Sequence, residues 1–237
     1  MESSNLISET KKEKNQIKSY SKYEKIKADY FLIKVFNNLE KKKTLNILKY
    51  NKNIKNRINI NINDYKEYSE KYSPIEIELK PVNNRFGTFI NINEEEEEKY
   101  YHIYFNNNIE EIKINYINED EEIKMIKIII DYHVESFKEL FDNCMYINSI
   151  FFKNFHRTDI TDMYSMFHGC SSLKELNLTN FNTDNVKDMY GMFSGCSSLK
   201  ELNLTNFNTN NVKDMYGMFY ECSSLKELNL NNFNTSN

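Results

Sequence analysis

The four cysteines are the residues of this chain whose spacing most directly suggests chemistry. Each of Cys144, Cys170, Cys196 and Cys222 lies 26 residues after the one before it. If successive units stack about 5 Å apart, as strands do, neighbouring thiols come within disulfide reach on Cα distance. Metal ligands must converge from several directions, whereas stacked positions lie along one line. Identical placement in every unit is typical of buried small side chains, so we predict a structural ladder of reduced cysteines without a metal.

Other residue types that carry chemistry form no recognisable motif. The histidines His102, His133, His156 and His168 share no spacing typical of metal ligands, and no phosphate-loop, dinucleotide, nucleophile-elbow or EF-hand pattern is present. The acidic runs at residues 94–98 and 119–121 could attract cations, but we expect solvated loops there. The sequence therefore predicts no catalytic residues, no cofactor and no enzymatic activity.

Charge and hydropathy limit the classes of partner. The formal net charge is −4, which argues against a sequence-independent nucleic-acid binder. The Lys-rich stretch at residues 11–27 could form a local basic patch, although a solvated tail is the simpler interpretation. We find no signal peptide and no apolar run long enough to cross a membrane. We therefore expect a cytoplasmic protein with no nucleic-acid or membrane partner.

A 26-residue repeat organises the second half of the chain. The string C-S-S-L-K-E-L-N-L occurs three times, beginning at Cys170, at Cys196 and at Cys222. A diverged copy precedes them, so repeat units begin at residues 141, 167, 193 and 219. One unit alone buries too little apolar surface to offset the entropy of ordering it. The repeats therefore predict four coils stacked in register.

The spacing within one coil predicts its secondary structure. Leu176 and Leu178 are two residues apart and fit one face of a short strand. A later group is spaced by 3, 3 and 1 residues, which fits one side of a short helix; it comprises Val186, Met189, Met192 and Phe193. We therefore predict an α/β fold, a leucine-rich-repeat-like solenoid with a short parallel strand and a short helix in each coil.

The repeat string, with its continuation N-F-N-T-x-N-V-x-D-M-x-x-M-F, resembles the BspA-like leucine-rich-repeat family. The resemblance covers residues 141–237 and implies a curved solenoid that carries a parallel sheet on one face. It also implies binding to other macromolecules. Bacterial members of that family are surface adhesins, and this chain differs from them in having no visible export signal.

The remaining chain is divided by composition. We predict a polar tail over residues 1–22, a helical segment over 23–57, a small β-rich capping region over 58–122 and the solenoid over 123–237, with an entry coil at 123–141. Within 30–54, the apolar positions Leu32, Phe36, Leu39, Leu45 and Leu48 resemble the F-box motif. That resemblance implies a substrate adaptor of a cullin-type ubiquitin ligase, whereas a plain helical pair is the alternative.

The outward residues of the coil strands are the candidate binding site. Alternation with the inward leucines predicts three rows that begin at Ser149, Phe151 and Lys153. An outward aromatic residue on a polar sheet is a candidate anchor for a protein partner. We therefore predict a non-enzymatic interaction scaffold whose partner-binding residues are Phe151, Lys153, Glu175, Asn177, Thr179, Glu201, Asn203 and Thr205.

The fourth coil includes the strand and turn but not a following Val-x-x-Met-x-x-Met-Phe half. Its apolar residues would then have no further coil above them; these are Leu225, Leu228, Leu230 and Phe233. We expect this edge to pair with another chain, including by self-association, to fray, or to mark a truncated product.

Overall fold

The computed structural model describes residues 73–92, 95–131, 133–155 and 157–235. They belong to one compact unit, Glu70–Asn237. The predicted tail at residues 1–22, the helical segment at 23–57 with its F-box-like motif, and residues 58–72 of the β-rich region lie outside the described residues.

A five-stranded mixed sheet contains strands from the region before the repeats and from the first two coils. The strands are, in chain order, β1 (Ile75–Pro81), β2 (Gly87–Thr88), β3 (Tyr101–Phe105), β4 (Tyr116–Ile117), β5 (Ile126–Ile130), β6 (Ile147–Asn154) and β7 (Glu175–Asn177), with a 3₁₀ turn at Glu98–Tyr100. The large sheet has the order β3-β5-β1-β6-β7, and β2 pairs separately with β4. All pairs are antiparallel except β6 with β7.

Alternating apolar residues explain the antiparallel part of this sheet. In β1, Ile75, Ile77 and Leu79 are fully buried, while Glu76 and Glu78 lie half-buried on the opposite face. β3 and β5 have the same alternation. Because β1 lies between β5 and β6, it joins the predicted capping region to the first coil in one continuous sheet. β5, the strand that we assigned to an entry coil, does not pair with β6.

The prediction of a short helix in each coil is wrong. The described residues contain no α-helix, and the corresponding segments at residues 138–143, 164–169, 190–195 and 216–221 are turns. Each segment has two residues with left-handed backbone, four positions apart, such as Gly191 (φ 58°) and Gly195 (φ 75°). An α-helix requires negative φ throughout. Consecutive turns nevertheless bury the apolar residues that predicted the helix, which are Val186, Met189, Met192 and Phe193.

The prediction of one parallel strand in each coil is also wrong beyond the second coil. β6 and β7 pair in parallel, but the equivalent segments at residues 201–203 and 227–229 are not in strands. The described chain is therefore built of a mixed sheet and turns, and not of an α/β solenoid.

Aromatic residues that are 26 positions apart in the sequence pack against one another. Phe141, Phe167, Phe193 and Phe219 stack with ring centroids 5.6, 5.6 and 5.7 Å apart. Equivalent stacks with a 26-residue spacing are formed by Phe155, Phe181, Phe207 and Phe233, and by Tyr164, Tyr190 and Tyr216. Each coil thus supplies the neighbour that its preceding coil needs to bury its aromatic rings.

Asn91 closes the beginning of the stack. Its backbone N–H donates to the Leu140 carbonyl at 2.8 Å, and its side-chain amide donates to the carbonyls of Glu139 (3.1 Å) and Asp142 (2.8 Å). The Leu140 and Asp142 carbonyls are equivalent to the Met166 and His168 carbonyls, which accept hydrogen bonds from the preceding coil. Asn91 therefore supplies two of the donors that a preceding coil would otherwise provide.

Candidate functional site

The strand face consists of the predicted partner-binding residues on the outer side of β6, β7 and the following coil: Phe151, Lys153, Glu175, Asn177, Thr179, Glu201, Asn203 and Thr205. Pairing of β6 with β7 places Ser149 beside Glu175 and Phe151 beside Asn177, which is the alignment that the repeat predicts. Ser149 is buried, and Phe151 is half-buried. The other members of the strand face are exposed.

Two lysines flank the aromatic ring of Phe151. The ammonium groups of Lys80 and Lys153 lie 5.8 and 5.7 Å from the ring centroid, within the range of a cation–π interaction. Lys153 also pairs with Glu78 at 2.9 Å. Phe151 is therefore not an isolated apolar residue. It lies between the two lysines, which we call the cationic group, and Lys80 of this group belongs to β1.

Sequence reasoning missed the contribution of β1 to this site. Glu78 pairs directly with Phe151, and Lys80 with Ser149, so both side chains lie on the same face of the sheet. Their alternation with Ile77 and Leu79 predicts a strand but gives no information on which strand it joins. The pairing spans about 70 residues of chain, and local patterns do not encode such a contact.

The asparagines of the strand face form local turns with the threonines that follow them. The Asn177 side-chain oxygen accepts hydrogen bonds from the Thr179 N–H (3.0 Å) and hydroxyl (2.7 Å). Asn203 and Thr205 repeat this arrangement at 3.1 and 2.8 Å. The Asn oxygen mimics a backbone carbonyl, as in an Asx turn. The side-chain oxygens of Asn177 and Asn203 are therefore used in local hydrogen bonds. Both residues are exposed, so their side-chain NH₂ groups face solvent.

An open depression of about 930 Å³ extends the strand face towards the fourth coil. It is lined by residues 200–205 and 226–231, with Glu201, Asn203 and Thr205 among them. Glu175, Glu201 and Glu227 are exposed, and they form an acidic row beside the cationic group at Phe151. Lys200 and Lys226 line the same depression, so positive and negative side chains alternate along it.

The cysteines lie in a buried line in the interior of the coils. All four are free thiols, and Cys144, Cys170 and Cys196 are fully buried. The thiols of Cys170 and Cys196 each donate to a carbonyl in the preceding coil at 3.1 Å. Burial raises the pKa of the Cys144, Cys170 and Cys196 thiols well above the usual range, so these groups are protonated at neutral pH. A protonated thiol is neither a metal ligand nor a nucleophile.

The histidines are dispersed. His102 contacts Glu111 at 3.2 Å and Asp131 at 3.7 Å, His168 contacts Asp142 at 2.6 Å, and His133 stacks on Tyr100. His156 lies outside the described residues. Within the described ranges, no group of three or more His, Cys, Asp or Glu side chains is arranged to hold a metal ion.

None of the described segments forms a helix with the length and apolar character that a membrane crossing requires.

Comparison with known proteins finds similarity over part of the chain. Residues 135–237 match the model of a family described as Mycoplasma protein of unknown function, DUF285. No curated protein matches the chain, and neither does any solved structure. The matched region begins within the predicted entry coil and includes β6 and β7, whereas β1 to β5 lie outside it.

Proposed function

We propose that this protein is a non-enzymatic scaffold that binds a partner protein through the strand face. The single observation that carries the proposal is the position of Phe151, an aromatic side chain on the solvent side of a sheet, half-buried between Lys80 and Lys153. Protein interfaces concentrate binding energy in a few aromatic and cationic anchors surrounded by polar groups.

The charge distribution supports a partner with complementary chemistry. The cationic group at Phe151 favours a partner segment with acidic or aromatic side chains. The depression beyond it carries lysines and glutamates together and favours neither sign. The partner that fits best is therefore a protein segment with an acidic or aromatic residue that contacts Phe151 and its lysines.

The BspA-like resemblance of the repeats adds support, because it implies binding to other macromolecules. The F-box-like segment lies outside the described residues and adds none. Its ubiquitin-ligase interpretation, like the adhesin interpretation, rests on resemblance.

We expect Phe151→Glu to abolish partner capture without unfolding the protein. The new carboxylate would lie between Lys80 and Lys153 and pair with them, so the fold tolerates it, whereas the aromatic contact is lost. Loss of a central anchor reduces affinity by at least about tenfold. Quantitative affinity capture with the intact chain, followed by measurement of Kd for the enriched protein, checks this result.

Tyr116→Glu is the control, since Tyr116 is an exposed aromatic residue (46%) on β4, away from the strand face. A partner retained by this variant and lost with Phe151→Glu supports the proposal. Equal capture by both variants, with equal thermal stability, contradicts it.

A further inference from the structure

Ser149 carries an unsatisfied polar group on the outer face of the sheet. Its side chain is fully buried, and its hydroxyl oxygen is the only buried side-chain polar atom among the described residues that has no hydrogen-bond partner. Ser149 precedes the core residue Ile150, so alternation along β6 places the Ser149 hydroxyl on the side of the sheet away from the core. A buried hydroxyl without a partner is unfavourable, and a bound group that accepts its hydrogen bond would remove that cost.

The neighbours of Ser149 on this face are long or exposed side chains. β1 places Lys80 beside it and β7 places Glu175 beside it, and both of these residues are exposed. Because Ser149 lies on the side away from the core, its cover is formed by side chains of this face. Lysine has more rotamer freedom than most residues. Movement of the Lys80 side chain towards a ligand therefore opens a path to the Ser149 hydroxyl.

Lys80 is a cation without a carboxylate partner on a face where other lysines have one. Lys127 pairs with Glu76 at 3.0 Å. Lys153 pairs with Glu78 at 2.9 Å. Lys80 forms no ion pair with any residue that the structure describes. The face therefore offers one uncompensated ammonium group beside one unsatisfied hydroxyl, and an anion that accepts hydrogen bonds satisfies both.

Glu175 limits the charge of the anion that can bind. It lies one strand spacing, or about 5 Å, from Ser149 and two spacings from Lys80. An anion that contacts the Ser149 hydroxyl would therefore lie within about one Debye length of the Glu175 position, where repulsion is only partly screened. Lys80 provides a single positive charge to offset that repulsion. A group with one negative charge is thus favoured over a phosphate monoester, which carries nearly two.

We propose that Lys80 and Ser149 form a binding subsite for one aspartate or glutamate carboxylate of the partner protein. The carboxylate accepts hydrogen bonds from the Lys80 ammonium group and the Ser149 hydroxyl, and the carbon atoms of the same side chain contact the Phe151 ring. The subsite rests on the proposed function, because it specifies the side chain that the partner presents: acidic rather than aromatic.

NMR titration of the full chain tests the subsite without the partner. The probe is N-acetylglutamate, and N-acetylglutamine at the same ionic strength is the neutral control. We expect the amide signals of Ser149 and Phe151 to shift saturably with N-acetylglutamate, with half-saturation at about 10–100 mM, as for a few charge-assisted hydrogen bonds. N-acetylglutamine should cause no saturable shift of these signals.

Two variants separate the roles of the ammonium group and the hydroxyl. Lys80→Met should weaken N-acetylglutamate binding by at least about fivefold, since it removes the charge and keeps the apolar stem. Lys187→Met is the matched control, because Lys187 is also exposed and forms no ion pair within the described ranges. Ser149→Ala should weaken binding by about threefold and raise the urea midpoint, because the unsatisfied hydroxyl is removed. A purely structural role for Ser149 would change the urea midpoint alone.

The outcomes distinguish the subsite from the proposed function. Absence of a saturable shift with N-acetylglutamate overturns the subsite, as does equal binding by Lys80→Met and the native chain. Tighter binding of inorganic phosphate than of N-acetylglutamate also overturns it, in favour of a phosphorylated partner residue. Partner capture that is lost with Phe151→Glu but unchanged with Lys80→Met overturns the subsite alone. Capture that is unchanged with Phe151→Glu overturns the proposed function, whatever the titration shows.

Discussion

Arg157→Ala is expected to lower the free energy of unfolding by about 3–5 kcal/mol, the range for removing one partner of a buried ion pair. The Arg157 side chain is fully buried, and its Nε donates to the Asp159 carboxylate at 2.8 Å. Its other nitrogens donate to the carbonyls of Asp131 and Val134. The substitution leaves a carboxylate that is only 15% exposed without its cation, and it leaves two carbonyls without their donor.

Urea unfolding measures this effect, and Arg85→Ala provides the control. Arg85 is exposed and lies over the Tyr146 ring, so its removal should change stability by about 0.5 kcal/mol at most. A loss below about 1 kcal/mol for Arg157→Ala would contradict this account. It would show that the hydrogen bonds from the Arg157 guanidinium to Asp131, Val134 and Asp159 do not stabilise the fold.

Phe193→Ala is expected to cost about 3–5 kcal/mol, the usual range for a phenylalanine removed from a packed core. Phe193 is fully buried and stacks between Phe167 and Phe219, with ring centroids 5.6 and 5.7 Å away. Its removal creates a cavity and interrupts the ring stack at its third member. Denaturant unfolding of the variant gives the loss directly.

Phe219→Ala is the matched comparison, because Phe219 occupies the same repeat position but is only partly buried. We expect it to cost about half as much as Phe193→Ala, or less. Equal losses would mean that Phe219 is as fully covered in solution as Phe193, contrary to its partial burial in this structure.

The repeat register could be predicted from the sequence because stacked coils place residues 26 apart in contact. Phe167 and Phe193 recur at that spacing and stack face to face. The strands β1 and β5 were also predictable, since each has an aliphatic residue at every second position, and these residues are the buried ones. In both cases the pattern itself is the physical cause of the contact or of the burial.

The helix prediction failed because apolar spacing does not distinguish a helix from consecutive turns. The sequence did contain a discriminating signal in Gly191, which lies inside the predicted helix and recurs 26 residues later as Gly217. Both glycines adopt positive φ. Glycine in a helix interior is unfavourable, so its recurrence at this repeat position indicates a turn.

The surroundings of the candidate site were not predictable for a different reason. Lys80 and Glu78 reach Phe151 because β1 inserts between β5 and β6, and this pairing depends on the whole sheet. The burial of Arg157 likewise follows from the tertiary arrangement, since arginine is ordinarily exposed. No local pattern in the sequence distinguishes Arg157 from a surface residue.

The sign of the stability change in Gly191→Ala tests the central structural claim most directly. If residues 186–193 formed the predicted helix, Gly191 would lie in its interior and alanine would stabilise the protein by about 1 kcal/mol. Left-handed backbone predicts the opposite, a loss of about 1–2 kcal/mol from strain, with a close contact to the Ser165 hydroxyl in addition. Glu139→Gly at the same repeat position, where φ is 56°, should conversely be stabilising. Destabilisation by Gly191→Ala in equilibrium unfolding is the result that we predict, and stabilisation would contradict the account of the coils as stacked turns.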